Sequence, residues 1–162
     1  MSKVILSADR ACDLNDELTA KYDIHYIHGP ILLKGKQYLD CKDIFPDDLY
    51  RVFWDEGILP QTTAINTIEY MEHFRQWTDQ GYEVVHISLS SAVSACYQNA
   101  CLAAAELGGV YPVDTKNLSG AGGLLALEAA DRIAQGMDGA RVAEEVAALT
   151  GHAHCSFVLN TL

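Results

Sequence analysis

An α/β fold, with a largely parallel sheet and helices on both faces, is predicted by three observations. Short apolar, β-branched runs alternate along most of the chain with segments of helical character. Glycine, proline and short polar residues punctuate almost every change from one to the other. Two of the helical segments, 93–107 and 120–135, carry many alanines, and such small-residue faces let a helix lie close on a sheet. The crossovers between parallel strands are then expected to be right-handed.

In chain order, Val4-Ile5-Leu6 is a short apolar strand that ends in Ser7-Ala8-Asp9. Residues 15–22 follow as a helix with Asp13 or Asn15 as its cap. Residues 24–33 are rich in β-formers and read as a second strand. The Lys34-Gly35-Lys36 turn folds it back onto Gln37-Tyr38-Leu39, a local β-hairpin near residues 24–39. Pro46 opens a helix running to about Glu56, since proline suits the first helical position and the acids behind it suit the helix dipole. Gly57 closes it, and Pro60 keeps the stretch before it irregular.

Asn66 and Glu69 form a capping-box pattern for a helix through Gln80, which Gly81 ends. Residues 83–89 are an apolar strand. Helix resumes at about Val93 and stops at Gly108-Gly109. Residues 110–114 are another strand, and the glycine-rich bend at 119–123 leads into the alanine and leucine helix to about Gln135. A last helix covers 140–149, and 156–161 reads as a final strand.

A chain of 162 residues, 49% apolar and 20% charged, fits one globular domain. The net charge of −11 argues against a nucleic-acid partner, which needs clustered Lys and Arg, and against an anionic membrane surface. No apolar run reaches the roughly 20 residues that span a bilayer. The N-terminal stretch meets acids early and does not read as a signal peptide. Cys12, Cys41, Cys96, Cys101 and Cys155 are odd in number and form no CxxC pair, so reduced thiols in a cytoplasmic protein are expected. His152, His154 and Cys155 lie close together, but no second ligand cluster accompanies them and no metal is expected.

Four loops, at Asp9-Arg10-Ala11, 60–66, 90–94 and 114–117, hold most of the small hydroxyl residues that are not plainly on helix faces, and that concentration suggests a site. In open α/β sheets ligands bind beyond the carboxyl ends of the strands. Ser94 invites a nucleophile reading. It lacks the glycines of a Gly-x-Ser-x-Gly elbow, having Ala92 and Cys96 instead, and no base announces itself. The 88–100 stretch and the 119–123 bend both lack the lysine of a phosphate loop. From spacing alone, Ser94 or Ser91 either caps its own helix or helps hold an anion at the helix start. Thr62 and Thr63 carry the same two readings, turn residue or ligand contact.

Five ordered motifs decide what spacing leaves open: "ADRACDL" (8–14), "LLKGKQYLDCKDI" (32–44), "GILPQTTAIN" (57–66), "ISLSSAVSACYQNA" (87–100) and "YPVDTKNLSGAGGLLALEAA" (111–130). With them the chain resembles the N-terminal domain of the DegV family of bacterial fatty-acid-binding proteins. The resemblance implies that Thr62 and Ser94 hold the carboxylate of a long-chain fatty acid, whose tail lies in an apolar tunnel between two domains. It further implies a lipid-binding protein that is not itself an enzyme, has no cofactor, and presents the carboxylate to a separate fatty acid kinase subunit.

Thr63, Ala95, Cys96 and Arg10 are the accessory positions, because the chain departs from the family there. The family's usual Thr-Ser-Gln-Pro-Ser is Thr62-Thr63-Ala64-Ile65-Asn66 here, and its Ser-Gly-Thr-Tyr is Ser94-Ala95-Cys96-Tyr97. Arg10 stands where the family commonly has serine. Residues 1–154 are expected to form the DegV-like α/β domain, and 155–162, with "FVLNTL", a strand leading toward a second domain that is absent. Such a chain leaves its inter-domain face open, and a homo-oligomer, or a tendency to one, is expected through it. The rival readings are a truncated structural or regulatory module that binds a protein partner, and an esterase using Ser94.

Overall fold

The computed structural model describes residues 4–158. Four parallel strands form the main sheet in the order β2-β1-β6-β7, with β1 at Val4–Asp9, β2 at Ile24–Ile27, β6 at Glu83–Ser88 and β7 at Val110–Asp114. A second, antiparallel sheet of order β4-β3-β5 uses Pro30–Leu33 (β3), Lys36–Leu39 (β4) and Gln61–Thr62 (β5). Among the described residues six α-helices complete the fold: α1 (Asp16–Lys21), α2 (Pro46–Glu56), α3 (Thr67–Thr78), α4 (Cys96–Leu107), α5 (Ser119–Ala134) and α6 (Gly139–Leu149).

Strand alternation assigns each face of the main sheet its own helices. Val4, Leu6 and Ala8 of β1 join Val85 and Ile87 of β6 in one core with Leu125, Ala126, Ala129, Val142 and Val146 of α5 and α6. On the other face, Val84 and Val110 pack with Tyr70, Phe74, Ala100 and Ala103 of α3 and α4. On the same face Ser7, Asp9, His86 and Ser88 are polar and yet buried.

Several local expectations hold in detail. The Asn66 side chain accepts from Glu69 N–H at 3.0 Å while Glu69 accepts from Asn66 N–H at 2.8 Å, the reciprocal box that starts α3. Pro46 opens α2, and Gly57, at φ 69°, ends it. The carboxylate of Glu83 accepts from Gly139 N–H at 3.0 Å and from Tyr111 O–H at 2.9 Å, tying the start of α6 to the sheet.

Other elements differ, each for a non-local reason. Residues 24–33 are two strands in two sheets. The chain turns at Gly29, where Asp40 N–H donates to the Gly29 carbonyl at 2.9 Å, and Pro30 begins β3 without an N–H to donate. The hairpin is thus confined to residues 30–39. Helix α4 begins at Cys96 rather than Val93, since 90–94 is a turn closed by Ser94 N–H to the Ser90 carbonyl. Thr62, expected in an irregular stretch, pairs with Ile31 as part of β5. Ser156-Phe157-Val158 carries no regular structure, and the rest of the strand expected at 156–161 lies outside the described residues.

The glycine-rich run at 119–123 is the first turn of α5, not a bend before it. A Cβ on Gly123 would stand 2.7 Å from the Cys12 carbonyl oxygen and 2.8 Å from Leu14, so only glycine lets α5 lie against the turn after β1. Gly120 has no such neighbour within 4 Å. Gly123→Ala is therefore expected to destabilise the fold by about 1–3 kcal/mol in urea unfolding. Gly120→Ala should be neutral or stabilising by up to about 1 kcal/mol. Equal effects of the two changes would contradict the close approach.

Candidate ligand-binding cavity

The carboxyl end of β1, the start of β3, residues 62–65 from the end of β5 onward and the 93–96 approach to α4 line a cavity of about 480 Å3. Each of the six residues singled out from the sequence is at or beside it. Thr62, Thr63, Arg10, Ser94, Ala95 and Cys96 all line this one space. Thr62 belongs to the small sheet and Ser94 to the turn before α4, and only the fold brings both to one cavity.

Ser94 serves as a helix cap and faces the cavity as well. Its Oγ accepts from Cys96 N–H at 3.2 Å, and its own O–H points to Cys96 Sγ at 3.1 Å. Sulfur is a weak acceptor, so this donor is available to a better one, and the bond received from the backbone strengthens it. Thr62 and Thr63 are exposed, and their hydroxyls make no hydrogen bond among the described residues. Ile65 is held by its carbonyl, which accepts from Asn99 Nδ2 of α4 at 2.7 Å. That bond joins the threonine segment to the helix that Ser94 caps.

Arg10 does not aim its charge at these hydroxyls. The guanidinium lies 4.9 Å above the Tyr26 ring, with Nη1 3.5 Å from the Leu14 carbonyl. Cys96 is buried, and Ala95 is exposed at the rim. Cys12 is buried against α5, and burial pushes its thiol up, which leaves it an inert protonated side chain.

Asp9 is the centre that sequence reasoning placed in a site loop without a role. Its carboxylate is 3% exposed. Oδ1 accepts from Tyr70 O–H at 2.6 Å, and Oδ2 accepts from Ser88 O–H at 2.9 Å and Leu89 N–H at 2.7 Å. Burial pushes the carboxyl up, but the nearby His86 ring and these donors outweigh it and hold Asp9 below the usual range. Tyr70 is pushed upward by burial and by the Asp9 charge, and so stays a proton donor. A second carboxylate fixes the next loop: Asp114 accepts from Ser91 N–H at 3.1 Å, from Ser91 O–H at 2.5 Å and from Lys116 N–H at 3.0 Å.

Behind Asp9 the polar chain continues through the core. His86 Nε2 lies 3.2 Å from Asp9 Oδ1 without the alignment of a hydrogen bond. His86 Nδ1 is 2.9 Å from Ser7 Oγ, which is 2.8 Å from His73 Nε2. Burial, and then the His86 ring, push His73 down to about 3. This set was missed because its members lie far apart in the chain. The available signal was the polar residues at alternate positions in the apolar runs VILSAD and EVVHIS. His86 bonds to Ser7, not to Ser94, so no histidine acts as base for Ser94 among the described residues. No group of three or more His, Cys, Asp or Glu among the described residues is placed to hold a metal, and none of their helices is long and apolar enough to cross a membrane.

The profile of a family described as uncharacterised protein, DegV family, matches residues 3–162. A DegV domain-containing protein of Clostridium perfringens is 30% identical over 164 residues, which cover 100% of this chain and 59% of the relative. A fatty-acid-binding DegV family protein of Thermus thermophilus superposes with a TM-score of 0.82 at 25% identity, over 91% of this chain and 53% of that one. DegV of Bacillus subtilis, a fatty acid binding protein, superposes with a TM-score of 0.85 at 21% identity, a likeness of fold, over 93% of this chain and 55% of that one. The chain thus spans between half and three-fifths of the length of these relatives.

The buried histidine chain makes stability depend on pH. A histidine whose value falls on folding resists protonation while the unfolded chain accepts it, so stability is lost as pH falls from 6.5 toward 3. Between pH 7 and 5 the loss attributable to His73 is about 2 kcal/mol. His73→Gln, compared with wild type by urea unfolding at both pH values, should remove that difference. An unchanged pH dependence would contradict the burial of a neutral His73.

Proposed function

The chain belongs to the DegV family, and from that premise we propose that it binds a long-chain fatty acid, with the carboxylate held by Ser94 and Thr62. The observation that carries this reading is the single cavity that both hydroxyls line, together with the free hydroxyl of Thr62 and the weakly engaged donor of Ser94. Pro30, Ile31, Ile65, Leu89 and Val93 supply apolar wall beside them. The fatty acid binding of the Thermus thermophilus relative supports the same ligand class.

The energetics divide the task between the two ends of the ligand. Each methylene removed from water contributes about 0.8 kcal/mol, so the tail supplies most of the affinity. A hydroxyl donor to a carboxylate contributes about 1–2 kcal/mol and sets the orientation. Two departures tune the head-group end. Cys96 places a thiol where the family pattern has a hydroxyl, and Ala95 adds a methyl group where it has glycine. Fewer hydroxyls therefore reach the carboxylate.

The protein is on this reading a carrier, not a catalyst. Ser94 donates a hydrogen bond and has no base among the described residues to make it a nucleophile. Presentation of the bound carboxylate to a separate kinase, in the cytoplasm, completes the proposal. A homo-oligomer that covers the exposed apolar surface is part of it, with Leu59 69% and Val93 60% exposed just ahead of Thr62 and Ser94 in the chain. A protein-partner role is favoured by α2, whose Tyr50 and Trp54 are 63% and 77% exposed.

Native mass spectrometry and titration with oleate test the ligand. Wild type is expected to retain or take up one acyl ligand. Thr62→Ala and Ser94→Ala should each weaken binding about 5- to 30-fold. Thr62→Ala carries the cleaner comparison, since that hydroxyl makes no internal bond while Ser94 also caps α4. No bound or titratable acyl ligand, or wild-type affinity in both variants, would overturn the reading.

A further inference from the structure

Arg10 follows Asp9 at the carboxyl end of β1, and it is the one lysine or arginine among the residues that line the cavity. Asp9 and Asp40 line the same space. A carboxylate ligand brings a further negative charge into surroundings that water screens poorly. The donors gathered around Asp9 are spent on Asp9 itself. Hydroxyl dipoles alone would then have to offset the charge of the head group, and a guanidinium within reach of it does so more strongly.

The Arg10 backbone is fixed while its charge is only loosely placed. Its carbonyl accepts from Asp13 N–H at 3.2 Å, which closes the short 3-10 turn over Arg10–Cys12. The guanidinium lies 4.9 Å above the ring of Tyr26, a residue that borders the groove on the far side of α3 and not the cavity. Its hydrogen bond, Nη1–H to the Leu14 carbonyl, is 3.5 Å long, beyond the usual range. The other N–H donors of the fork meet no protein acceptor among the described residues. Arg51, Arg132 and Arg141 each reach a carboxylate, at 3.5, 2.6 and 3.1 Å. No carboxylate among the described residues stands within 4.0 Å of Arg10, although the side chain is half-buried. Arg75 also lacks one, but it is exposed to water.

We propose that Arg10 selects a charged head group: on binding, its guanidinium leaves Tyr26 and pairs with the ligand carboxylate that Thr62 and Ser94 orient. The proposal rests on the fatty acid reading above and adds the residue that separates a fatty acid from a neutral lipid of the same length. The swing exchanges a cation–π contact and one long hydrogen bond for a charge-assisted pair in a partly desolvated space. An alcohol head group offers the guanidinium no charge, so Arg10 gains nothing by leaving the ring for it. Cys96 leaves one hydroxyl fewer at this end of the cavity, and Arg10 supplies a charge where the family commonly has serine.

Parallel titrations of the full chain with monomeric oleate and with oleyl alcohol test the assignment. Arg10→Gln should weaken oleate binding about 10- to 100-fold, the range for a hydrogen bond to a charged group. The same variant should change oleyl alcohol binding by less than about twofold. Arg10→Lys, which keeps the charge and loses the fork, should recover part of the oleate affinity. In the wild type the Arg10 Nε–H resonance, shielded by the Tyr26 ring, should move downfield with oleate and stay in place with oleyl alcohol, a readout that needs no variant. Equal losses for the two ligands in Arg10→Gln, or an Arg10 resonance that oleate leaves unmoved, would overturn the proposal and leave the fatty acid reading standing. No oleate binding by the wild type would remove both.

Discussion

Asp9 sits where the first strand leaves the sheet, and its carboxylate receives Tyr70 from α3, Ser88 from β6 and the Leu89 backbone N–H from the loop beyond. A buried carboxylate with fewer partners would be strongly destabilising, since several kcal/mol of hydration have to be replaced. With these partners in place the charge orders what surrounds it. The strand end, the third helix and the loop that carries Ser94 are all referred to one point. Removing that charge would leave three buried donors unmatched, which is costlier than never having placed them there. The position of the cavity follows from this constraint.

From that point outward, each hydroxyl is placed by a different device. Ser94 is set by its turn and by the backbone of Cys96, so capping the helix and facing a ligand are not competing roles. Thr62 is set by pairing with Ile31 in the small sheet. The bond from Asn99 to the Ile65 carbonyl links the two. The proposed head-group site is assembled from a turn, a short strand and a helix start, and preorganisation of that kind limits the entropy lost on binding. The chemistry proposed for it is correspondingly modest, because hydroxyl donors orient a carboxylate without activating it.

What could be read from the sequence was what local physics determines. The Asn66 and Glu69 box, the helix start at Pro46, its end at Gly57 and the 110–114 strand each depend on residues within a few positions, and the structure shows them as expected. The break at Gly29 was not legible, because it depends on a backbone bond from Asp40. The glycines of α5 looked like a bend because their purpose, contact with Cys12 and Leu14, lies more than a hundred residues back. In the site, family resemblance singled out Thr62 and Ser94, and both line the cavity. Spacing alone could not have joined them. Ser7 and His86 showed only as polar residues inside apolar runs, and their joining with His73 could not be read, as the bonds span 66 and 79 residues.

The central claim is that Ser94 and Thr62 together hold a carboxylate in the cavity at the end of β1. A crystal structure of the chain with oleate measures this directly. Both hydroxyl oxygens should lie within 2.5–3.0 Å of the ligand carboxylate, about the usual span for such bonds. Oleate bound with its carboxylate outside the cavity, or with the Ser94 and Thr62 oxygens beyond hydrogen-bond reach of it, would contradict the account.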